Sequence, residues 1–234
     1  MNTMIKYLKL PFCFDMARMK HEVSALTAQW VAHYNTNDYE GVWTALPLRS
    51  LGGRNDNAIA DPRPGLTFED TELLQLCPYL KQVVETLPCE KMAVRLLNLE
   101  AGAVIKEHRD RELCFESGEA RIHVPVMTNE DVAFYLDGER VVMNEGECWY
   151  MNFNLKHRIY NNGTTNRIHL VMDCVVNDEL RALFAGDDIE IKKEAPMPEK
   201  FSLHEKEAMI ASLLAMNTPT SLQMAEEMRR ELAG

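Results

Sequence analysis

The chain has no apolar run near the roughly 20 residues a membrane-crossing helix needs, no C-x-x-C pair among its six cysteines, and no cluster of Lys or Arg. Each absence removes a class of function. Without a long apolar segment a membrane role has no support. Acidic residues outnumber basic ones, 36 to 25, for a formal net charge of -11. Nucleic-acid binding, which clustered cations carry on the phosphate backbone, is therefore not expected. Cys13, Cys77, Cys89, Cys114, Cys148 and Cys174 are scattered, and the N-terminus lacks the continuous apolar core of a signal peptide. Reduced thiols and a cytoplasmic location are expected. Internal repeats, low-complexity tracts and any Ser-His-Asp or paired-carboxylate signature are also missing.

What is present suits a globular chain: 234 residues, 46% apolar and 26% charged, enough for one moderately large domain with a small appendage. Met4 to Phe14 alternates apolar residues with Lys6 and Lys9, the pattern of an edge strand ended near Pro11. Asp15 then caps a helix whose apolar residues recur at helical spacing to about Tyr34. Val42 to Ser50 reads as a strand and Leu51 to Gly65 as a long loop without periodicity, of the kind that is either disordered or near a site. A second helix is expected from Thr67 to about Leu87, stopped by Pro88.

From Met92 the pattern changes to short β runs: Ala93 to Leu99, Ala103 to Glu107, Ala120 to Met127, Val132 to Leu136, Val141 to Asn144, Cys148 to Met151, Lys156 to Tyr160 and Arg167 to Val175. Asp137-Gly138 and Asn162-Gly163 are hairpin signals. Strands at this spacing indicate a sandwich or jelly roll. After Asn177 the pattern is helical again: Asp178 to Ala185, a charged linker from Gly186 to Lys200, then Leu203 to Met216 and Ser221 to Leu232. The expected organisation is α+β: a double-stranded β-helix core with N-terminal helices over residues 1–177, and a C-terminal helical extension over 178–234. That extension could dock on the barrel, cover a site or pair two copies into a homodimer.

One constellation carries chemistry. His108 and Asp110, two apart, share a face if their segment is extended. With His157 they supply two imidazoles and a carboxylate, the set that holds Fe(II) on one face and leaves the opposite positions open. Arg167, ten residues beyond His157, offers a planar bidentate match to a carboxylate beside such a metal. If Asn161-Asn162-Gly163 forms a three-residue hairpin loop with Gly163 left-handed, His157 falls opposite Arg167; a two-residue loop would put Arg158 there instead. Gly102, Gly138, Gly146 and the His157-x-x-x-Asn161 spacing echo the motifs of cupin-like jelly rolls, with Asn144 where a proline is usual.

The order and spacing of Arg95, Gly102 to Asp110, Arg121-Ile122-His123-Val124-Pro125, Gly146-Glu147-Cys148-Trp149-Tyr150, His157 and Arg167 to Asp173 resemble the aspartyl/asparaginyl β-hydroxylases and the related bacterial proline cis-hydroxylases. These are Fe(II)- and 2-oxoglutarate-dependent dioxygenases, and the resemblance spans roughly Trp43 to Asp173. Asp110 places the chain with members that keep the full triad, among them free-amino-acid hydroxylases. The resemblance implies Fe(II) on His108, Asp110 and His157, the distal carboxylate of 2-oxoglutarate on Arg167, and Arg121 and His123 near its metal-side carboxylate, with O2 as second co-substrate. His169 reads as a structural strand histidine, and Trp43 and Trp149 as packing. The substrate is expected to be an amino acid or an amino-acid side chain in a peptide or protein, its carboxylate met by Arg49 or Arg54 around Gly52-Gly53. The competing reading is a cupin-like metal protein, an isomerase or small-molecule-binding barrel, to which Arg167 would be superfluous. A metal-free interaction module on a decayed barrel is a third.

Overall fold

The computed structural model describes residues 3–27, 29–196 and 203–233. The first strand, β1 (Thr3–Cys13), leads into helix α1 (Met16–Ala25), where Asp15 accepts hydrogen bonds from the Ala17 and Arg18 backbone N–H groups and so satisfies the open donors of a helix start. Two short strands, β2 (Val31–Ala32) and β3 (Tyr39–Glu40), precede β4 (Trp43–Leu51) and β5 (Phe68–Asp70). Helices α2 (Glu72–Gln75) and α3 (Pro78–Glu85) follow. The β-rich stretch consists of β6 (Lys91–Leu99), β7 (Val104–His108), β8 (Glu119–Met127), β9 (Val132–Leu136), β10 (Glu139–Val141), β11 (Glu147–Met151), β12 (His157–Asn161) and β13 (Arg167–Val175). Helix α4 (Asp178–Ala185) and β14 (Ile191–Pro196) complete the first compact unit, and helices α5 (Leu203–Met216) and α6 (Pro219–Ala233) make up the second.

Among the described residues the strands form two antiparallel sheets. The larger runs β14-β1-β11-β8-β13-β6-β4-β2 with β5 on β4, and the smaller runs β10-β9-β12-β7-β3. Chain neighbours such as β12 and β13 alternate between sheets, giving the double-stranded β-helix. Each central strand of the larger sheet is buried on both faces, and the two-residue side-chain period divides its roles. On β13, Ile168, Leu170, Met172 and Cys174 pack with α1, α3 and α4 in the outer apolar cluster. The alternate residues Arg167, His169, Val171 and Asp173 take the other face, towards the smaller sheet. In β8 the same alternation sets Ile122 and Val124 against the helices and leaves Arg121 and His123 facing inward, and in β6 it does so for Arg95. The polar site is thus built into the inner face of a buried sheet.

Several elements depart from the sequence expectations. β1 is not an edge strand, because β14, formed from the expected linker, pairs along it; the first compact unit accordingly extends to Pro196 rather than to residue 177. α1 stops at Ala25, and Val31–Ala32 pair with Thr44 and Ala45 on β4, so tertiary pairing overrides the continuing helical period. The second expected helix is broken: Phe68 to Asp70 pair with β4, and Pro78, which lacks an N–H and bars helical geometry at Cys77, starts α3 afresh. The Asp137-Gly138 hairpin forms as expected, with both residues at positive φ and Leu136 opposite Glu139.

Candidate metal centre and its cavity

His108 ends β7 and His157 begins β12, and the two residues are register partners. Their Nε2 atoms converge to 3.1 Å. Each Nδ1 is tied to a backbone carbonyl, His108 to Lys106 at 2.7 Å and His157 to Leu155 at 3.1 Å. A proton on Nδ1 donates to that carbonyl, which fixes the tautomer and turns both Nε2 lone pairs to one point. Asp110 Oδ1 stands 3.8 Å from His108 Nε2, and one ligand atom from each of the three residues lies within 4.8 Å of the other two. Cis ligands about 2.1 Å from a metal are themselves roughly 3 Å apart, so this donor set fits a divalent ion bound on one face. Burial, and then His108, push the His157 pKa down to about 4, so at neutral pH the ring offers a lone pair and not a proton.

Behind the Asp110 carboxylate runs a buried ionic chain. Arg121 donates from one terminal nitrogen to Asp110 Oδ2 at 2.7 Å, and from Nε to Asp173 Oδ1 at 2.6 Å. Arg95 donates to Asp173 Oδ2 at 2.6 Å. Burial opposes charge on Arg121, but Asp173 and Asp110 more than offset it, and its pKa is raised. Arg121 lines the cavity beside the three residues, with its guanidinium bonded to two protein carboxylates.

Arg167 differs from Arg121 in its partners. It is 1% exposed, and among the described residues its Nε has no partner and a terminal nitrogen meets only the His169 ring, at 2.9 Å from Nδ1. Burial alone pushes its pKa down to about 9. The His169 Nδ1 also lies 3.3 Å from His123 Nδ1, while His123 Nε2 is buried without a partner. Burial, with Arg167 next, holds both imidazoles well below their usual pKa. A buried guanidinium facing two neutral rings is a site short of an anion.

His108, Asp110, His157, Arg121, His123 and Arg167 line one cavity of about 50 Å³, with Trp43, Arg95 and Phe153 also in its wall. A larger cleft of about 610 Å³ shares Tyr34, Asp110 and Arg121 with it. The approach of His157 to Arg167 does not arise from a hairpin. β12 pairs with β7 and β9, β13 pairs with β6 and β8, and Gly163 is not left-handed. A Cβ at Gly163 would instead displace the Asn129 side chain, which bonds Asn161 and Thr165.

Arg49 and Arg54 stand apart from this cavity, contrary to the expectation that they meet the substrate. Arg49 is held by Asp70 at 2.7 Å and the Lys91 carbonyl, and Arg54 forks onto Asp56 in solvent. The roof comes from residues that the helical pattern concealed. His33 stacks on Trp43 with ring centroids 3.5 Å apart, and Tyr34 stacks on His33 at 4.6 Å. Among the described residues the buried Trp43 Nε1 beneath has no partner, nor has Arg95 Nε. An unpaired indole donor is invisible in a sequence, where Trp43 reads as packing.

The family model described as Aspartyl/Asparaginyl beta-hydroxylase matches residues 14–177. The chain belongs to the aspartyl/asparaginyl β-hydroxylase family. Its fold is also similar to solved structures at low identity. An oxidoreductase of the 2OG-Fe(II) oxygenase family from Burkholderia pseudomallei is 12% identical, with a TM-score of 0.47 over 68% of this chain and 78% of the other. The viral collagen prolyl hydroxylase of Paramecium Bursaria Chlorella virus-1 is 10% identical, with a TM-score of 0.43 over 73% and 97%. A cupin 2 barrel protein from Salinispora arenicola is 14% identical, with a TM-score of 0.31 over 61% and 83%. Family membership gives the hydroxylase-type oxygenase class, and no described helix is long and apolar enough to cross a membrane.

Proposed function

We propose that this β-hydroxylase family member is an Fe(II)- and 2-oxoglutarate-dependent hydroxylase of an amino acid, or of an amino-acid side chain in a peptide. The observation that carries the reading is Arg167: a buried guanidinium with an unpartnered Nε, lining the same cavity as a three-ligand metal face. A cupin-like binder has no use for that cation, whereas a dicarboxylate co-substrate supplies its missing anion.

His108, His157 and Asp110 would hold the metal, and Arg167 with the His169 ring would bind the distal carboxylate of 2-oxoglutarate. When bound, iron supplies O2 activation coupled to decarboxylation of 2-oxoglutarate, the chemistry that oxidises an unactivated C–H bond. The chain's own task is to place that C–H bond and keep water away. Trp43 Nε1 and Arg95 Nε remain as unpaired donors in the cavity for a substrate carboxylate. The adjoining cleft carries Asp61, Glu112 and Glu119 as well as Arg111, a mixture of signs that suits a zwitterion. The His33 and Tyr34 rings close the roof.

Anaerobic titration of the full chain with Fe(II) and then 2-oxoglutarate tests this. A visible metal-to-ligand charge-transfer band is expected, and it should weaken in Arg167→Met. Bound iron without the band would replace the proposal with the cupin-like reading.

A further inference from the structure

Asp173 is a buried carboxylate that the proposed chemistry does not use, yet it is bonded to two cavity arginines. It is 2% exposed on the inner face of β13, with Arg121 as its register partner on β8 and Arg95 on the other flanking strand, β6. Its Oδ1 accepts from Arg121 Nε at 2.6 Å, and its Oδ2 accepts from a second Arg121 nitrogen at 3.2 Å and from Arg95 at 2.6 Å. Two parallel bonds to one carboxylate fix the plane of a guanidinium. Once that plane is fixed, the third Arg121 nitrogen has one direction to point, and it lies 2.7 Å from Asp110 Oδ2.

Asp110 needs such a hold. It lies beyond the end of β7, its side chain is a third exposed, and its backbone N–H bonds to the Phe153 carbonyl without restricting the carboxylate. The Arg121 bond divides its two oxygens, Oδ2 taken by the guanidinium and Oδ1 left towards the imidazole pair. On the reading that His108, Asp110 and His157 hold a metal, we propose that Asp173 is a positioning residue that acts through Arg121 to aim Asp110 Oδ1 at the metal. Asp173 touches neither ligand nor metal; it sets the affinity and geometry of the site two residues removed. A merely neutralising role would be felt at the metal whether or not Arg121 were there, and that difference is measurable.

The test is a double-mutant cycle on the full chain, reading the Mn(II) dissociation constant and line shape by electron paramagnetic resonance. Asp173→Asn is expected to weaken Mn(II) binding by about 10–100-fold, the usual effect of removing an outer partner of a ligand. In an Arg121→Gln background the same substitution should change affinity by less than about 3-fold, since the route is already cut. Unchanged affinity in a folded Asp173→Asn protein, or the same loss with and without Arg121, overturns the proposal. Should Asp173→Asn fail to fold, Arg121→Lys takes its place, keeping the charge but losing the fork. Weakened Mn(II) binding there supports the proposal and unchanged binding overturns it. A wild-type protein that binds no Mn(II) would instead refute the metal site itself.

Discussion

Arg167 faces His157 across the interior of the barrel: each begins a strand, the two strands lie in opposite sheets, and both side chains line one cavity. The proposed metal ligand and the proposed anion anchor are therefore held by separate sheets and should fail separately. Arg167→Met removes a buried cation that has only a neutral ring for partner. Replacing such a charge with an apolar side chain of similar volume should raise the stability of the ligand-free protein by about 1–3 kcal/mol. The same change should weaken 2-oxoglutarate binding ~100-fold, two charge-assisted bonds being lost, with Mn(II) affinity held within about 3-fold. Calorimetric titration with each ligand, beside a urea melt, decides it; parallel loss of both ligands would contradict separate anchoring.

The two imidazoles give the converse case. His108 and His157 present Nε2 atoms 3.1 Å apart, each oriented by its own carbonyl. His108→Ala leaves two ligands on a site that needs three and should abolish Mn(II) binding at concentrations that saturate the wild type, while Arg167 keeps its cavity. Metal-dependent succinate release should vanish with it. Retained turnover in His108→Ala would assign the metal elsewhere, with His123 or His169 as replacement.

The sequence makes the His108–Asp110 pair and the β13 strand legible because their signals are local: a two-residue spacing at a strand end, and a period of two along Arg167 to Val175 that is reproduced residue for residue in β13. The Asp137-Gly138 turn is legible for the same reason, since its positive φ values demand those residues. What escapes is set at long range. α1 ends where β4 offers pairing to Val31, so His33 leaves a helical pattern to become a cavity roof. Asn162-Gly163 reads as a hairpin because nothing local says that the chain is crossing between sheets. That two of the Arg121 nitrogens bond Asp173, 52 residues away, is likewise invisible until the strands are paired.

Gly146 gives a prediction about the scaffold alone. Its φ is +82°, and a Cβ would stand 2.6 Å from the Phe14 carbonyl oxygen, a backbone atom that cannot step aside. Its carbonyl accepts from the Phe14 N–H at 2.8 Å, joining β1 to the turn before β11. Gly146→Ala should therefore cost about 2–4 kcal/mol, from the left-handed backbone and the collision together. A urea titration measures this. Because the residue lies outside the metal cavity, protein that remains folded should bind Mn(II) as tightly as the wild type. Wild-type stability would show that the β1 junction yields.

The roof histidine makes acid stability a probe of the cavity. Burial first, then Arg95 and Arg121, push the His33 pKa from 6.5 down to about 3, so the folded protein holds this ring neutral while the unfolded chain protonates it. The stabilisation is fully present above pH 6.5 and is lost as pH falls towards 3, because the unfolded state binds the extra proton. At pH 5.5 the loss from this one group is about 1 kcal/mol. His33→Phe keeps a ring on Trp43 and removes the titration. His123, His157 and His169 are also held below their usual pKa, but they titrate alike in both proteins and cancel in the difference. Urea unfolding at pH 7.5 and 5.5 should therefore show the wild type losing about 1 kcal/mol more than His33→Phe over that interval. Equal losses would mean that His33 is solvated, and that the roof over the metal cavity stands open in solution.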